Sequence, residues 1–221
     1  MALQYSPRIV TNGLVLCLDA GSRKSYGGTG NVWRDLAGSN NGTLTNGPTF
    51  SNANAGSIVF DGVNDYVVSN LNLNLLPEVT FSGWIYTTRS SGNCGIMGND
   101  NGNYGRVIRC GGSLFQILNT QALAGYSPSD IPLNQWFNVV VSWSTSAVKF
   151  YLNSTQQQAT FAGEGATYND SSTTTFGSTG PGGAAQTLLG NIAQVSIYNR
   201  ALTAPEIQQN YNATKGRFRL T

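Results

Sequence analysis

Val79-Thr80-Phe81-Ser82-Gly83-Trp84-Ile85-Tyr86 is the stretch that decides the fold class. Successive side chains of an extended chain point to opposite faces, so Val79, Phe81 and Ile85 share one face and Thr80, Ser82, Trp84 and Tyr86 the other. This is the pattern of a half-buried antiparallel strand. The same period returns in Phe137, Val139, Val141 and Trp143, and in Val148, Phe150 and Leu152 with Lys149 and Tyr151 opposite. It returns again in Ala193, Val195 and Ile197, with Gln194 and Ser196 opposite. Shorter extended runs are read at 13–19, 57–60, 66–69, 106–110 and 114–118. Turn signals separate the runs: Asn41-Gly42, Asn46-Gly47-Pro48, Asp61-Gly62, Asn101-Gly102 and Gly180-Pro181-Gly182-Gly183. On the order of ten or more short strands punctuated in this way call for two packed antiparallel sheets.

One helix is predicted near the end. In Leu202-Thr203-Ala204-Pro205-Glu206-Ile207, Thr203 and Glu206 have the spacing of a reciprocal capping box, with Leu202 and Ile207 as its hydrophobic staple. Pro205 fits the first turn, whose amides lack helical partners. Ile207 and Tyr211 then share a face that packs on the sandwich, and Gly216 is the expected stop. A capped helix closing a β-sandwich has a purely structural explanation.

Composition agrees with one all-β domain. A chain of 221 residues suits a single sandwich. Charged residues are 10% of it, against about 25% in an average soluble protein, and 27 glycines supply turn chemistry. The net charge of +2 creates no field for capturing nucleic acid. The one basic cluster, Lys215, Arg217 and Arg219, is read as a short tail able to contact a partner subunit, or as a solvated end. No apolar stretch approaches the ~18 residues that cross a membrane, and 1–10 lacks the pattern of an export signal, so no membrane partner is expected. Cys17 lies in an apolar run and reads as a small core residue. Cys94 and Cys110 could pair, although a reducing cytoplasm would keep them as thiols.

Five segments in order carry a family resemblance: 56–67 (GSIVFDGVNDYV), 79–86, 136–143 (WFNVVVSW), 148–153 (VKFYLN) and 190–202 (GNIAQVSIYNRAL). Together they resemble the laminin G-like branch of the concanavalin A-like lectin/glucanase superfamily, over about 13–211. The resemblance implies an antiparallel jelly-roll β-sandwich with one short C-terminal helix: an arm at 1–12, the sandwich at 13–212 and a basic tail at 213–221. A narrower likeness lies in 7–21 (PRIVTNGLVLCLDAG), 33–36 (WRDL), 41–50 (NGTLTNGPTF) and 210–218 (NYNATKGRF), which look like laminin G-like structural proteins of marine tailed phages. It implies a virion accessory protein on head, tail or fibre, with other virion proteins as partners and host-surface glycans as weak ligands. The alternative is a secreted or cell-surface carbohydrate-binding module. Fold alone does not choose between them.

Catalysis is not expected. Glycanases of the superfamily need two carboxylates facing one sugar ring. The glutamates are Glu78 before a strand, Glu164 in a Gly-rich loop and Glu206 in the capping box, and no Glu-x-Asp-x-x-Glu-like cluster exists. The absence of histidine removes Ser-His and Cys-His systems and histidine metal sites. No cofactor is assigned. The resemblance admits calcium, but the Asn99-Asp100-Asn101-Gly102-Asn103 loop lacks a distal glutamate and reads as a turn, as do Asp61 and Asp65. Asp35, after Trp33, occupies a position that recurs in the family, without partners legible in sequence. Sugar binding needs an exposed aromatic beside amides and carboxylates. Tyr104 with Asn99, Asp100 and Asn103 is one such group, and Tyr168 with Asn169 and Asp170 another. Trp33, Trp84, Trp136 and Trp143 are read as core or sheet-face residues. Incubation with β-glucans and galactans should therefore release no reducing sugar above a heat-killed control; turnover abolished by mutating one acidic residue would contradict this.

Overall fold

The computed structural model describes residues 8–89, 93–102, 105–111, 114–119, 122–157, 170–181 and 186–220. In the first half its strands are β1 (Leu14–Asp19), β2 (Val32–Trp33), β3 (Gly42–Thr45), β4 (Thr49–Ser51), β5 (Ser57–Asp61), β6 (Tyr66–Ser69), β7 (Val79–Thr87) and β8 (Asn93–Gly98). The second half adds β9 (Val107–Gly111), β10 (Leu114–Asn119), β11 (Ala122–Asp130), β12 (Trp136–Trp143), β13 (Val148–Leu152), β14 (Thr155–Gln156), β15 (Thr174–Phe176) and β16 (Leu189–Tyr198). They form two antiparallel sheets. The first runs β14-β13-β12-β7-β16-β5-β4, with β1 also paired to β16. The second runs β11-β10-β9-β8-β15-β6-β3-β2.

The alternation read from sequence sets the register. Val79, Phe81 and Ile85 of β7 join Phe137, Val139, Val141 and Trp143 of β12, all buried against Ile96, Ile108, Phe115, Ile117 and Phe176 of the second sheet. Trp33 lies in the same core. The opposite face of the first sheet is also covered in large part. Helix α1 (Ala204–Thr214) and the following 3-10 turn, Lys215–Phe218, cross it. They pack on it in two clusters: Leu202 and Ile207 with Val140, Tyr151 and Tyr198, and Phe218 with Trp84 and Ala193. Trp84 stacks on Phe218 at 4.2 Å and on Tyr211 at 5.6 Å, and its Nε1 donates to Thr214 Oγ1 at 2.8 Å. Burial of side chains of this size stabilises by about 1.5–3 kcal/mol each, which short segments need in order to stay docked.

The helix start is built as the sequence implies. The Glu206 carboxylate accepts from the Thr203 amide and hydroxyl, each at 2.9 Å, and Leu202 and Ile207 are buried together as the staple. Arg200 adds a two-pronged pair to Glu206 at 2.6 and 3.0 Å. Arg200, and then the Thr203 amide, hold the Glu206 carboxyl down at about 2. The N-terminal arm docks beside this helix: the Val10 amide donates to Asn210 Oδ1 at 2.8 Å and Tyr198 Oη donates to the Val10 carbonyl at 3.0 Å.

Several expectations need correction. Gly216 is not the stop: α1 ends at Thr214 and the chain tightens into the 3-10 turn through Gly216, closing with Arg219 in the left-handed region (φ 57°). Asn41-Gly42 is not a hairpin turn, because Gly42 opens β3, where a Cβ would lie 2.6 Å from Val67 Cγ1. The pairing of Cys94 and Cys110, left open by the sequence, is resolved: they sit opposite each other in the β8–β9 register, in the core, and form a disulfide. Cys17 is buried, facing Ser196, and burial pushes its thiol up to about 11.

Thr203→Ala should lower the unfolding free energy by about 1 kcal/mol, read from chemical denaturation. The Glu206 carboxyl is depressed in the folded state, so its stabilisation is present above its ordinary value of 4.5 and is lost as pH falls through about 2. The stability gap between the native chain and Glu206→Gln should therefore shrink on acidification from pH 4.5 to 2; a constant gap would mean that Arg200 does not hold the carboxylate.

Candidate functional site

Of the rim residues singled out in sequence, the described Asn99 and Asp170 are linked to each other through Asn74. Asn99, which precedes the turn after β8, is buried: its Oδ1 accepts from the Arg106 amide at 2.8 Å, and its Nδ2 donates to Asn74 Oδ1 at 3.0 Å and to the Ser171 carbonyl at 3.3 Å. Asn74 in turn donates to the Asp170 carbonyl at 2.9 Å. Asn99 and Asp170, one described residue from each predicted group, are thus joined through Asn74, and Asn99 is buried. Asp100 closes its own turn, accepting from the Gly102 amide at 2.7 Å. Burial pushes the Asp170 carboxyl up against the opposing pull of the Asn101 amide. Asn103, Tyr104, Tyr168 and Asn169 lie outside the described residues, as does Glu164. Among the described residues no three acidic, cysteine or histidine side chains converge as a metal site.

Under the rim, Arg106 is buried, and its guanidinium donates to the carbonyls of Leu73 (3.0 Å), Leu76 (2.7 Å) and Pro77 (3.2 Å). It holds the 3-10 turn Leu73–Leu75 that leads into β7. Asp35 has a comparable role: its carboxylate accepts from the amides of Cys17 (2.8 Å), Ala37 (2.9 Å) and Asn40 (3.1 Å), tying the loop after β2 to β1.

The basic run is mostly spent internally. Arg217 pairs with Asp19 at 2.6 Å and donates to the Asn54 carbonyl at 2.7 Å and to the Gly56 carbonyl. Lys215 lies over the Tyr211 ring at 5.7 Å, and Arg219 is exposed. The turn is anchored by Phe218, and Arg217 acts as a clasp within the chain.

Where the 3-10 turn ends, the outer face of the first sheet is left open. Trp136 and Asn191 are both register partners of Tyr86, so the three share one row across β12, β7 and β16. They floor a groove of about 250 Å³ whose far wall is Ser51, Ala53 and Asn54, with Ser57 between. Trp136 and Tyr86 are half-buried, 5.7 Å apart between ring centroids, and Phe218 supports Trp136 from behind at 4.8 Å. Asn191 Nδ2 donates to Ser57 Oγ at 3.0 Å. Among the described residues Tyr86 Oη, Trp136 Nε1 and Asn191 Oδ1 have no hydrogen-bond partner. The groove thus offers an aromatic platform held rigid from below, with donors and an acceptor at its edge and, among the described residues, no carboxylate in its lining. This is the surface on which a sugar ring can lay its C–H face while its hydroxyls reach amides.

A family model for the Concanavalin A-like lectin/glucanases superfamily, in its laminin G-like form, matches residues 61–208. The chain belongs to this superfamily. Among solved structures, this laminin G-like domain resembles Trypanosoma rangeli sialidase, crystallised with the inhibitor DANA, at 18% identity and a TM-score of 0.71, over 94% of this chain and 35% of that one. It also resembles the botulinum neurotoxin serotype D binding domain, at 15% identity and a TM-score of 0.68, over 91% of this chain and 52% of that one. The domain therefore spans about a third of the sialidase and about half of the neurotoxin fragment. At such identities the likeness concerns the fold. A comparison with curated proteins finds no match.

The groove of the laminin G-like domain was missed in sequence because Trp136 read as a core or sheet-face residue. The signal was present: Tyr86 and Trp136 end runs whose core residues are Val79, Phe81, Phe137 and Val139, on the alternate face. Arg106→Met should cost about 2–3 kcal/mol in denaturant unfolding, the penalty for leaving buried carbonyls unpaired, and leave the groove intact.

Proposed function

We propose that this laminin G-like domain is a non-catalytic recognition module that binds glycans through the Tyr86–Trp136–Asn191 groove, displayed on a virion as an accessory protein of head, tail or fibre. The observation that carries the glycan reading is the half-exposed aromatic pair, held from behind by Phe218, with uncommitted polar atoms beside it. The lack of an acidic side chain among the described lining residues supports binding without hydrolysis, since cleavage needs two carboxylates at the sugar. The virion setting draws on the phage-like segments 7–21, 33–36, 41–50 and 210–218, with other virion proteins as partners.

The Cys94–Cys110 disulfide favours a second reading, a secreted or cell-surface carbohydrate-binding module, because disulfides persist in oxidising compartments. A glycan array probed with the native chain and with Trp136→Ala and Tyr86→Ala tests recognition. Each variant should weaken the best ligands by about tenfold, the worth of one aromatic contact of about 1.4 kcal/mol. Undiminished binding by both variants would overturn the groove. Mass spectrometry of purified particles from the source tests the setting: multiple copies per particle support the virion, and a free monomer absent from particles supports the secreted module.

A further inference from the structure

A larger groove, about 310 Å³, lies on the other side of the 50–55 segment. Residues of that segment are divided between the two grooves: Phe50, Asn52 and Ala55 line this one, and Ser51, Ala53 and Asn54 the first. The wall of this second groove is Tyr26 against Phe50, with centroids 5.5 Å apart. Tyr26 is buried, and its Oη donates to the Gly30 carbonyl at 2.7 Å, which fixes the loop between β1 and β2. Gly27 and Gly28 leave the backbone bare at the mouth; an added Cβ at Gly27 meets nothing within 4 Å. Arg23 also lines the groove; it is exposed and makes no ion pair or hydrogen bond among the described residues. Asp19, the acid beside this loop, is committed to the Gly21 amide at 2.8 Å and to Arg217 at 2.6 Å, so it does not compete for Arg23. Among the described residues no carboxylate lines the groove.

We infer that this groove is a second saccharide subsite that takes a carboxylated sugar residue, its ring face against Phe50, its carboxylate on the Arg23 guanidinium and its hydroxyls on Asn52 and the Gly27–Gly28 backbone. A guanidinium matches a carboxylate in a planar, two-pronged geometry that a neutral sugar cannot supply. The inference extends the glycan reading but does not need the Trp136 groove, so the two can fail separately.

The test is isothermal titration of the intact chain with a galacturonic acid tetramer and a neutral galactose tetramer, at low salt and at 0.5 M salt, comparing the native chain with Arg23→Gln, Phe50→Ala and Trp136→Ala. The acidic tetramer should bind about fivefold tighter than the neutral one at low salt, the upper end for a solvent-facing ion pair. That preference should vanish in Arg23→Gln and fade at high salt. Phe50→Ala should weaken the acidic ligand in both salts. An acidic-to-neutral ratio unchanged by Arg23→Gln overturns the subsite while leaving the first groove standing. Binding that needs Arg23 and Phe50 but is indifferent to Trp136→Ala upholds the subsite and removes the first groove. No measurable binding of the acidic tetramer at millimolar concentration overturns it.

Discussion

The arrangement depends on the contact of Trp84 with the C-terminal segment. β7 is central in its sheet and carries large side chains on both faces, so core packing on one face leaves an indole on the other that must also be covered. Phe218 and Tyr211 stack on that indole and Thr214 accepts its N–H. The capping box, the Arg200–Glu206 pair and the Arg217–Asp19 clasp all serve to deliver and hold this cover. Each is a modest interaction at a partly exposed site, and together they fix the direction in which a short helix and turn cross the sheet.

The same cover defines what is open. It ends at Phe218, so the row Trp136–Tyr86–Asn191 is supported from one side and bare on the other. Aromatic side chains with few rotatable bonds, already packed, lose little freedom when a ligand arrives, which is the advantage of a rigid platform for a weakly binding ligand such as a sugar. The 50–55 segment then separates this groove from the one walled by Tyr26 and Phe50. Arg217 grips that segment at the Asn54 and Gly56 carbonyls, so the C-terminal turn positions the ridge between both grooves as well as the floor of one.

Much of the fold was legible because it rests on period-two alternation. β6 spans the predicted run, β5 and β10 extend theirs by one residue, and β9 is shifted by one residue at both ends. β8 and β15 were not foreseen. β8 holds Gly95 and Gly98, which break the apolar alternation but are required where the chain passes closely: Cβ atoms there would lie 2.3 Å from the Gln186 carbonyl oxygen and 2.0 Å from that of Thr179. β15 is three residues long, too short to show a period. The site was less legible, for a physical reason. Asn99 and Asp170 advertise polar loop chemistry, yet they are consumed by backbone groups that only the folded chain brings near. Tyr86 and Trp136 look like sheet residues in sequence, and whether such a face is covered depends on where the C-terminal segment, far from both along the chain, comes to rest, which local pattern does not encode.

The most direct measurement of the central claim is the indole and aromatic NMR spectrum of the intact chain during titration with galactose and glucose oligosaccharides. The resonances of Trp136 and Tyr86 should move and saturate together, while those of Trp84 and Trp143, sealed beneath Phe218 and in the core, stay fixed. A saturable response confined to other residues, or none from Trp136 with any glycan that the chain is shown to bind, would contradict the account.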